Sequence, residues 1–592
     1  MSHPTYAAVF AAFLDAYVAM DPVSATAIGD HRHDDRWPDV GPDATDRRLA
    51  FVDRWHTAFS GLDPATLTAD EAIDRDLVLM ELDADRFSEA ELQEERWNPL
   101  EWVYLLGAGI FPLISREFAP LADRLASVAG RLEGMFALLE GAQFALTGTD
   151  DGRPVGRFQT ETALTQLPGI VELIDDAVAE ADRAAPNDQD VAALRRRIHE
   201  AAATARSALS GFETHLRDVV LPVSDGDARL GRDLFARKMV HTMRSETLTP
   251  ERIMVAADRE FLAVRAEMVR LARDVWPTWC PGRPLPGDEG ALVRQVLDTI
   301  AAEHPGAADL LDFCRAENVR IEAFCRDRDL IGLAETPLDI RWTPAFMRAF
   351  GGAMLIAPGP LDQGLTSFFA ITPMPDDWTP ERRESYLRED NARMLRLLTI
   401  HEAVPGHYLQ GVYANRSSSL ARSIFASGLF QEGWAVYVTQ VMMDAGYGAD
   451  DLALLLTHWK FYLRSVTNAI IDARIHVDGM SEDEAVAFMV DEGFQEEAEA
   501  RAKYDRARLS STQLSTYFAG SMEMWDMELQ ARRRAADAAV GADLTTIVAG
   551  RLPGSLGKTP GFVYRDHLEA VIGHGSPPTS LLRRILFDGD AP

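Results

Sequence analysis

Cysteine, lysine and long apolar runs are scarce in this sequence of 592 residues. Its three cysteines are an odd number and fit no zinc-knuckle spacing, so they predict buried thiols in a reducing compartment rather than a disulfide framework. Only four of the 59 basic residues are lysines, which argues against a polybasic tract. No run of about 18 apolar residues occurs, so no transmembrane helix is expected.

Acidic residues outnumber basic residues by 92 to 59, which gives a net charge of −33. A surface of this charge repels nucleic-acid phosphates and anionic lipid, so neither nucleic acid nor membrane is an expected partner. Apolar residues make up 47% of the chain and charged residues 26%, an ordinary globular composition with ample material for a core.

The N-terminal stretch MSHPTYAAVFAAFLDAYVAMD has no basic region, and Asp15 interrupts its apolar residues. Both features favour an amphipathic helix over a signal peptide. Because the cysteine content also suits a reducing environment, we expect the protein to be cytoplasmic.

Most of the chain has the apolar spacing of helices, so we predict a mainly α fold with a large, bundle-like helical body. Prolines and glycines crowd residues 336–378, around two short apolar runs at 353–356 and 366–371. These runs predict a small β-hairpin or short sheet, which could bind an extended peptide by strand addition or be purely structural. We expect an N-terminal helical region over 1–335 and a catalytic helical region over 336–592, within one continuous globular unit.

His401 and Glu402 end a strongly apolar helical run and point inward. A buried carboxylate needs a charged partner, and a divalent metal would supply one. His407 follows six residues later, which places it roughly 120° from His401 on an unbroken helix. Pro405 cannot donate a backbone hydrogen bond, and Gly406 permits unusual backbone angles. We therefore predict a bulge in the helix that swings His407 back toward the metal.

A zinc site needs a third protein ligand and leaves a fourth position for water. Glu432, at the start of the next apolar helix, is a candidate, although an acidic residue also suits a helix N-terminus by itself. Asp472 and His476 lie four apart on a predicted helix, and Tyr517 follows later. A positioned histidine or tyrosine can stabilise an oxyanion, but each is more often a structural residue.

These motifs resemble the bacterial domain-of-unknown-function 885 family, whose signature is His-Glu-x-x-Pro-Gly-His followed by Glu-Gly-Trp-Ala. The matching segments are His401–His407 and Glu432–Ala435, with the family's later Asp-x-x-x-His and Gln/Tyr segments at Asp472–Gly479 and Gln513–Gly520. The resemblance is strongest over about 345–525. That family is in turn similar to helical zinc peptidases of the thimet-oligopeptidase and thermostable-carboxypeptidase kind.

The resemblance implies one zinc ion held by His401, His407 and Glu432. It also implies that Glu402 is the general base and that His476 and Tyr517 stabilise the oxyanion. The implied activity is hydrolysis of small peptides in a deep cleft between the N-terminal and catalytic helices. Two alternatives stay open: a metal-dependent hydrolase or lyase of another small amide or ester, and a catalytically silent helical binding protein. The sequence does not indicate an oligomeric state.

Three departures from the family pattern bear on substrate range and efficiency. Thr439 stands where glutamate is common, Asn468 where arginine is common, and Ser511-Thr512 where Pro-Gly is common. None of them removes a proposed ligand.

Overall fold

The computed structural model describes residues 5–186, 189–344, 347–348, 352–362, 364–538 and 558–587. Helices dominate these residues and one small sheet accompanies them, which confirms the predicted mainly α class. The chain divides into two compact units, each described below by itself. Unit 1 comprises Met1–Ala228, Pro344–Phe350 and Pro358–Thr366, and unit 2 comprises Arg229–Thr343, Gly351–Ala357 and Ser367–Pro592.

Unit 1 contains nine of the α-helices that the structure describes. They are α1 (Tyr6–Met20), α2 (Pro22–Ile28), α3 (Ala44–Ser60), α4 (Ala69–Phe87), α5 (Glu94–Trp97), α6 (Pro99–Ser115), α7 (Leu121–Ala145), α8 (Arg157–Ala184) and α9 (Gln189–His215). Small buried residues such as Ala129, Ala181 and Ala202 let the long helices α7, α8 and α9 approach closely, and Ile198 fills the core between them.

A partly buried charge cluster joins two distant segments of unit 1. His31 lies between two carboxylates, 2.8 Å from Asp34 and 3.0 Å from Asp362, and its ring stacks on Phe118. Burial disfavours the charged imidazole, but the two carboxylates outweigh that cost and raise the pKa of His31 to about 9. The cluster therefore fixes the segment around Asp362 to the loop after α2.

Unit 2 holds the remaining described helices and the three strands. They are α10 (Arg232–Met243), α11 (Pro250–Trp279), α12 (Glu289–Ala301), α13 (Leu310–Asp327), β1 (Leu338–Trp342), β2 (Ala353–Ile356), β3 (Ser367–Ile371), α14 (Pro380–Glu389), α15 (Ala392–Glu402), α16 (His407–Asn415), α17 (Leu420–Ile424), α18 (Gly428–Asp444), α19 (Leu452–Ala473), α20 (Glu482–Ala487), α21 (Glu497–Leu509), α22 (Leu514–Ala538), α23 (Tyr564–Ile572) and α24 (Thr579–Phe587). Residues 229–335, which the sequence places in the N-terminal region, group with this unit.

The small sheet of unit 2 has the strand order β1-β3-β2. β1 runs parallel to β3, whereas β2 runs antiparallel to it with Leu355 opposite Phe369. The central strand β3 is buried along its whole length and packs with residues of α13 and α15, such as Cys314 and Leu395. The two predicted strands are present, and β1 adds a third that the short run Leu338–Trp342 did not reveal.

The core of unit 2 is built around α18 and α19. Every residue of α18 from Gly433 to Met443 is buried, as is nearly every residue of α19, so both helices run through the interior rather than along its surface. Trp434 and Val438 of α18 share one apolar cluster with Met394 of α15 and Met527 of α22. The helices that carry the candidate site are thus held by one core.

Within the described residues, no single helix is long and apolar enough to cross a membrane. In the same part of the chain, one helix pair, α1 and α2 with a bend of 118° between them, together satisfies the length and composition for a span.

Candidate metal centre

The helix that carries His401 breaks completely before His407. α15 ends at Glu402, four residues without helical structure follow, and α16 begins at His407. A Cβ atom on Gly406 would lie 2.5 Å from the carbonyl carbon of His401, so only glycine fits this close return of the chain. The predicted bulge in a continuous helix is therefore wrong, because the chain stops one helix and starts another. The two imidazole rings nevertheless meet, with their centroids 4.8 Å apart.

Glu432 reaches the two histidines because α18 and α22 touch at their backbones. A Cβ atom on Gly433 would lie 2.5 Å from the Cα atom of Gly520, so the helices cross where neither has a side chain. The indole of Trp434 donates a hydrogen bond of 2.9 Å to the carbonyl of Pro405 in the break. These two contacts fix the carboxylate of Glu432 relative to both the break and α22.

The three predicted ligands come together. Their potential ligand atoms all lie within 4.8 Å of one another. One carboxylate oxygen of Glu432 is 3.4 Å from Nε2 of His407 and 3.8 Å from Nε2 of His401. Two ligand atoms that each lie about 2 Å from one tetrahedral zinc ion are about 3.3 Å apart. The distances from Glu432 to the two imidazole nitrogens are close to this separation. The same oxygen is buried without a hydrogen-bond partner among the described residues, so the three side chains fit a divalent cation.

The protonation states of the three residues suit metal binding. Burial, assisted by the neighbouring His407, lowers the pKa of His401 to about 3, so this imidazole is neutral. Burial opposes the charge of Glu432, but His407 outweighs it and lowers the pKa of the carboxyl. Burial likewise opposes the charge of His407, and Glu432 outweighs it and raises the pKa of that imidazole. A metal ion would displace the proton that His407 and Glu432 otherwise attract.

Glu402 lies beside this group, and only 6% of its surface is exposed. Burial raises the pKa of its carboxyl to about 7, although His407 and a backbone hydrogen bond from Leu355 of β2 oppose the shift. A carboxyl with this pKa can both take and return a proton near neutral pH. The strand β2 therefore contacts the residue predicted to be the general base.

Tyr517 lies at the same site and belongs to a polar network. Its ring stacks parallel to that of His401, with 6.4 Å between the centroids. Arg506 donates hydrogen bonds to the hydroxyl of Tyr517, at 2.8 Å, and to the side-chain oxygen of Gln513, at 3.1 Å. The side-chain nitrogen of Gln513 in turn donates to Glu432 at 3.3 Å. Tyr517 is thus connected to the candidate ligands.

Sequence reasoning missed Arg506. It lies on the polar helix α21, which also carries Arg501 and Arg508, and no motif distinguishes it from these two. Its position seven residues before Gln513 gives no periodic signal, because a turn separates α21 from α22. An alignment of related sequences is the signal that could have found it.

His476 does not join the site. Its Nε2 atom lies 2.8 Å from the carbonyl oxygen of Ala507, and its Nδ1 atom accepts a hydrogen bond of 3.2 Å from the backbone of Leu230. A histidine whose two nitrogens are engaged by backbone cannot also donate to an oxyanion. Asp472 and His476, predicted to face the same way, have different partners, because α19 ends at Ala473 and continues as one wider π-helical turn that changes the spacing of side chains.

Asp472 instead holds the beginning of α22. Its carboxylate accepts hydrogen bonds from the backbone N–H groups of Thr512 and Ser515, both at 3.1 Å, and from the hydroxyl of Ser515 at 2.7 Å. These bonds satisfy N–H groups that a helix start leaves free. Asp472 therefore positions the helix that carries Tyr517.

The three departures from the family pattern are all buried. The hydroxyl of Thr439 donates to the carbonyl of Val436 within its own helix, at 2.7 Å. The side-chain oxygen of Asn468 has no hydrogen-bond partner among the described residues. Thr512 has a φ angle of 69°, in the left-handed region that favours glycine, which explains why the family pattern has glycine there.

The fold and the site define a mainly α protein with a candidate His-His-Glu metal centre in unit 2. The sequence model described as "Bacterial protein of unknown function (DUF885)" matches residues 22–586, so the chain belongs to this family. No curated protein matches the chain. The similarity to helical zinc peptidases stays a prediction.

Two solved structures share the fold over nearly the whole chain. One is described as a putative lipoprotein of unknown function from Shewanella oneidensis, with 28% identity, a TM-score of 0.76, and coverage of 98% of this chain and 100% of that one. The other is described as a putative lipoprotein from Colwellia psychrerythraea, with 14% identity, a TM-score of 0.77, and coverage of 98% and 97%, and it shows the fold alone. The expectation of a cytoplasmic protein is wrong, because the Shewanella structure, at 28% identity, is described as a putative lipoprotein.

Proposed function

We propose that unit 2 is a zinc-dependent metallopeptidase that hydrolyses small peptides. The observation that carries this proposal is the convergence of His401, His407 and Glu432 within 4.8 Å, with Glu402 buried beside them. Two imidazole nitrogens and one carboxylate oxygen are a common ligand set of catalytic zinc, which keeps a fourth position open for water or substrate. Imidazole ligands also favour zinc over magnesium or calcium.

The chain's own residues supply the proton transfers and the stabilisation of charge. When bound, zinc lowers the pKa of water to near 7 and polarises a carbonyl group. Glu402 takes a proton from the attacking water, whose hydroxyl adds to the carbonyl carbon. As the C–N bond breaks, Glu402 returns that proton to the leaving amine. The hydroxyl of Tyr517 accepts hydrogen bonds from Arg506 and Gln513, so its own proton can be donated to the developing oxyanion.

The position of β2 at the edge of the described sheet supports a peptide as the substrate. Thr372 donates to the carbonyl of Gly352 at 2.7 Å, so alternate residues of β2 bond to β3 and the backbone groups of Ala353 and Leu355 face the opposite side. Among the described residues no further strand pairs there. The N–H of Leu355 on this side already donates to Glu402, so an extended peptide that bonds the other backbone groups of the edge would run past the general base.

The first test is metal analysis of the purified protein after expression with added zinc. We expect about one zinc ion per chain in the wild type and in His304→Ala, which alters a histidine paired with Glu384 at 3.2 Å away from the site. His407→Ala should lose the metal. Unchanged zinc content in His407→Ala would contradict the ligand assignment. Absence of zinc from the wild type would favour a catalytically silent binding protein.

The second test is incubation with a mixed peptide library, read by mass spectrometry. Glu402→Gln should keep zinc but lose at least about 100-fold in cleavage rate, because general-base catalysis contributes about that factor or more. Glu322→Gln is a matched control, since Glu322 lies on α13 and bonds Asn318. Full turnover in Glu402→Gln would refute the assignment of the base. A zinc-loaded protein that cleaves other small amides or esters but no peptide would favour the alternative hydrolase.

A further inference from the structure

Arg506 carries a charge that no acidic side chain neutralises directly. Both of its hydrogen bonds use one nitrogen, Nη2, and both acceptors, Tyr517 and Gln513, are uncharged. No carboxylate of the described residues lies within 4.0 Å of its guanidinium. This is unusual in a chain in which acidic residues exceed basic residues by 33.

Neighbouring arginines in the interior of unit 2 are paired. Arg464 lies 2.7 Å from Glu499 and 3.4 Å from Glu389, and Arg532 lies 2.6 Å from Glu528. A partly buried guanidinium is always charged, and leaving it unpaired costs free energy that a counter-ion would recover. Glu432 and Glu499 act on Arg506 only from a distance, so a carboxylate in direct contact with its guanidinium would have to come from a ligand.

The charge of Arg506 is directed at the reaction centre. Its Nη2 atom donates to Tyr517, whose ring stacks on His401, and to Gln513, which donates to Glu432. Its remaining nitrogens, Nε and Nη1, make no hydrogen bond to the described residues, and neither is among their fully buried polar atoms. A planar guanidinium with two nitrogens available matches a carboxylate, which accepts two parallel hydrogen bonds.

We propose that Arg506 binds the C-terminal carboxylate of the substrate, which makes the enzyme an exopeptidase that trims peptides from their carboxyl end. This inference rests on the proposed peptidase function. The carboxylate of the last residue lies only one residue beyond the scissile carbonyl, so its site must adjoin the metal centre. Arg506 meets this condition through its hydrogen bonds to Tyr517 and Gln513, which contact His401 and Glu432 respectively.

The test compares N-acetylated pentapeptides made in two forms, one with a free C-terminal carboxylate and one with a C-terminal amide. Cleavage by the zinc-loaded wild type is followed by mass spectrometry, and retention of both forms on zinc-loaded Glu402→Gln is followed by equilibrium dialysis. We expect the acid forms to be preferred about 10- to 100-fold in both measurements, the range for a hydrogen bond to a charged group. Release of a free C-terminal amino acid should be the first cleavage.

Three variants assign the preference to Arg506. Arg506→Gln should cleave and retain acids and amides equally. Arg501→Gln, on the same helix but paired with Glu482 and Glu497, should keep the preference. Tyr517→Phe should slow cleavage of both forms by the same factor and also keep the preference, which separates recognition of the carboxylate from positioning of the tyrosine. If Arg506→Gln does not fold, Arg506→Lys should weaken the preference, because an ammonium group cannot form the paired bonds.

The outcomes separate the two proposals. Acid forms retained by the protein but never cleaved would contradict the peptidase function and leave the carboxylate site standing. Peptides cleaved without a preference for acids, or with a preference that survives Arg506→Gln, would overturn the carboxylate site alone. Failure to retain either form on the zinc-loaded protein would overturn it as well.

Discussion

The contact between Gly433 and Gly520 predicts that one methyl group in the core will weaken metal binding. In Gly433→Ala the new Cβ would lie 2.5 Å from the Cα of Gly520, whereas ordinary contact begins at 3.4 Å. The helices α18 and α22 must therefore separate by at least 0.9 Å, the difference between the two distances. Glu432 immediately precedes Gly433, so its carboxylate would move by a similar amount relative to α22.

The two effects of this substitution have different sizes. Overpacking costs about 1–3 kcal/mol of folding free energy, and the better helix propensity of alanine returns about 1 kcal/mol, so stability should fall by about 0–2 kcal/mol. A misplacement of 1 Å in a catalytic group can cost about 100-fold in rate. We therefore expect Gly433→Ala to fold, to bind zinc more weakly and to lose most of its peptide cleavage.

The assay is competition for zinc with a chelator, alongside thermal unfolding. Gly428→Ala is the matched control, because Gly428 begins the same helix and its Cβ would have nothing within 4 Å. This control should bind zinc like the wild type. If Gly433→Ala also binds zinc as tightly as the wild type, the close helix contact does not position Glu432 and the reasoning is refuted.

Three further substitutions test other parts of the structure. Trp434→Phe removes the hydrogen bond to the carbonyl of Pro405, so the free energy of unfolding should fall by about 1–3 kcal/mol, and an unchanged melting temperature would contradict this bond. His476→Asn should lower the melting temperature, while the rate of peptide cleavage per folded molecule stays within about twofold, since both ring nitrogens bond backbone atoms. The fold raises the pKa of His31 from 6.5 to about 9. This shift stabilises the protein by up to about 3 kcal/mol. The stabilisation is fully present below pH 6.5 and is lost as the pH rises through 9. The stability difference between wild type and His31→Gln should therefore shrink between pH 6 and pH 9.5, and a difference independent of pH would exclude the ion pairs.

The candidate ligands were predictable because their signal is local and chemical. An inward-facing His401 and Glu402 before Pro405 and Gly406 already required an interruption of the helix. The form of the interruption was not predictable, because Gly406 is needed for an approach to the carbonyl of His401 that depends on the three-dimensional path of the chain. The sequence pattern therefore identified the three side chains that converge but not the backbone geometry that brings them together.

The prediction that Asp472 and His476 face the same way shows where periodicity misleads. A spacing of four residues places two side chains on one face only while the winding stays at 3.6 residues per turn. The π-helical turn after Ala473 changes that winding, so His476 faces the backbone of Leu230 and Ala507. Nothing in a single sequence marks such a turn, because its cause lies in the packing around it.

Arg506 and Gly433 share a reason for escaping sequence reasoning. Each acts through a neighbour that is distant along the chain or beyond a turn, and each belongs to a residue type that is common elsewhere in the sequence. Arg506 differs from other arginines because no carboxylate of the described residues contacts its guanidinium. This can be recognised only when the positions of the surrounding acidic side chains are known. The free-acid and amide peptides therefore test Arg506 more directly than substitution alone. They supply or withhold a carboxylate for the guanidinium without changing the protein.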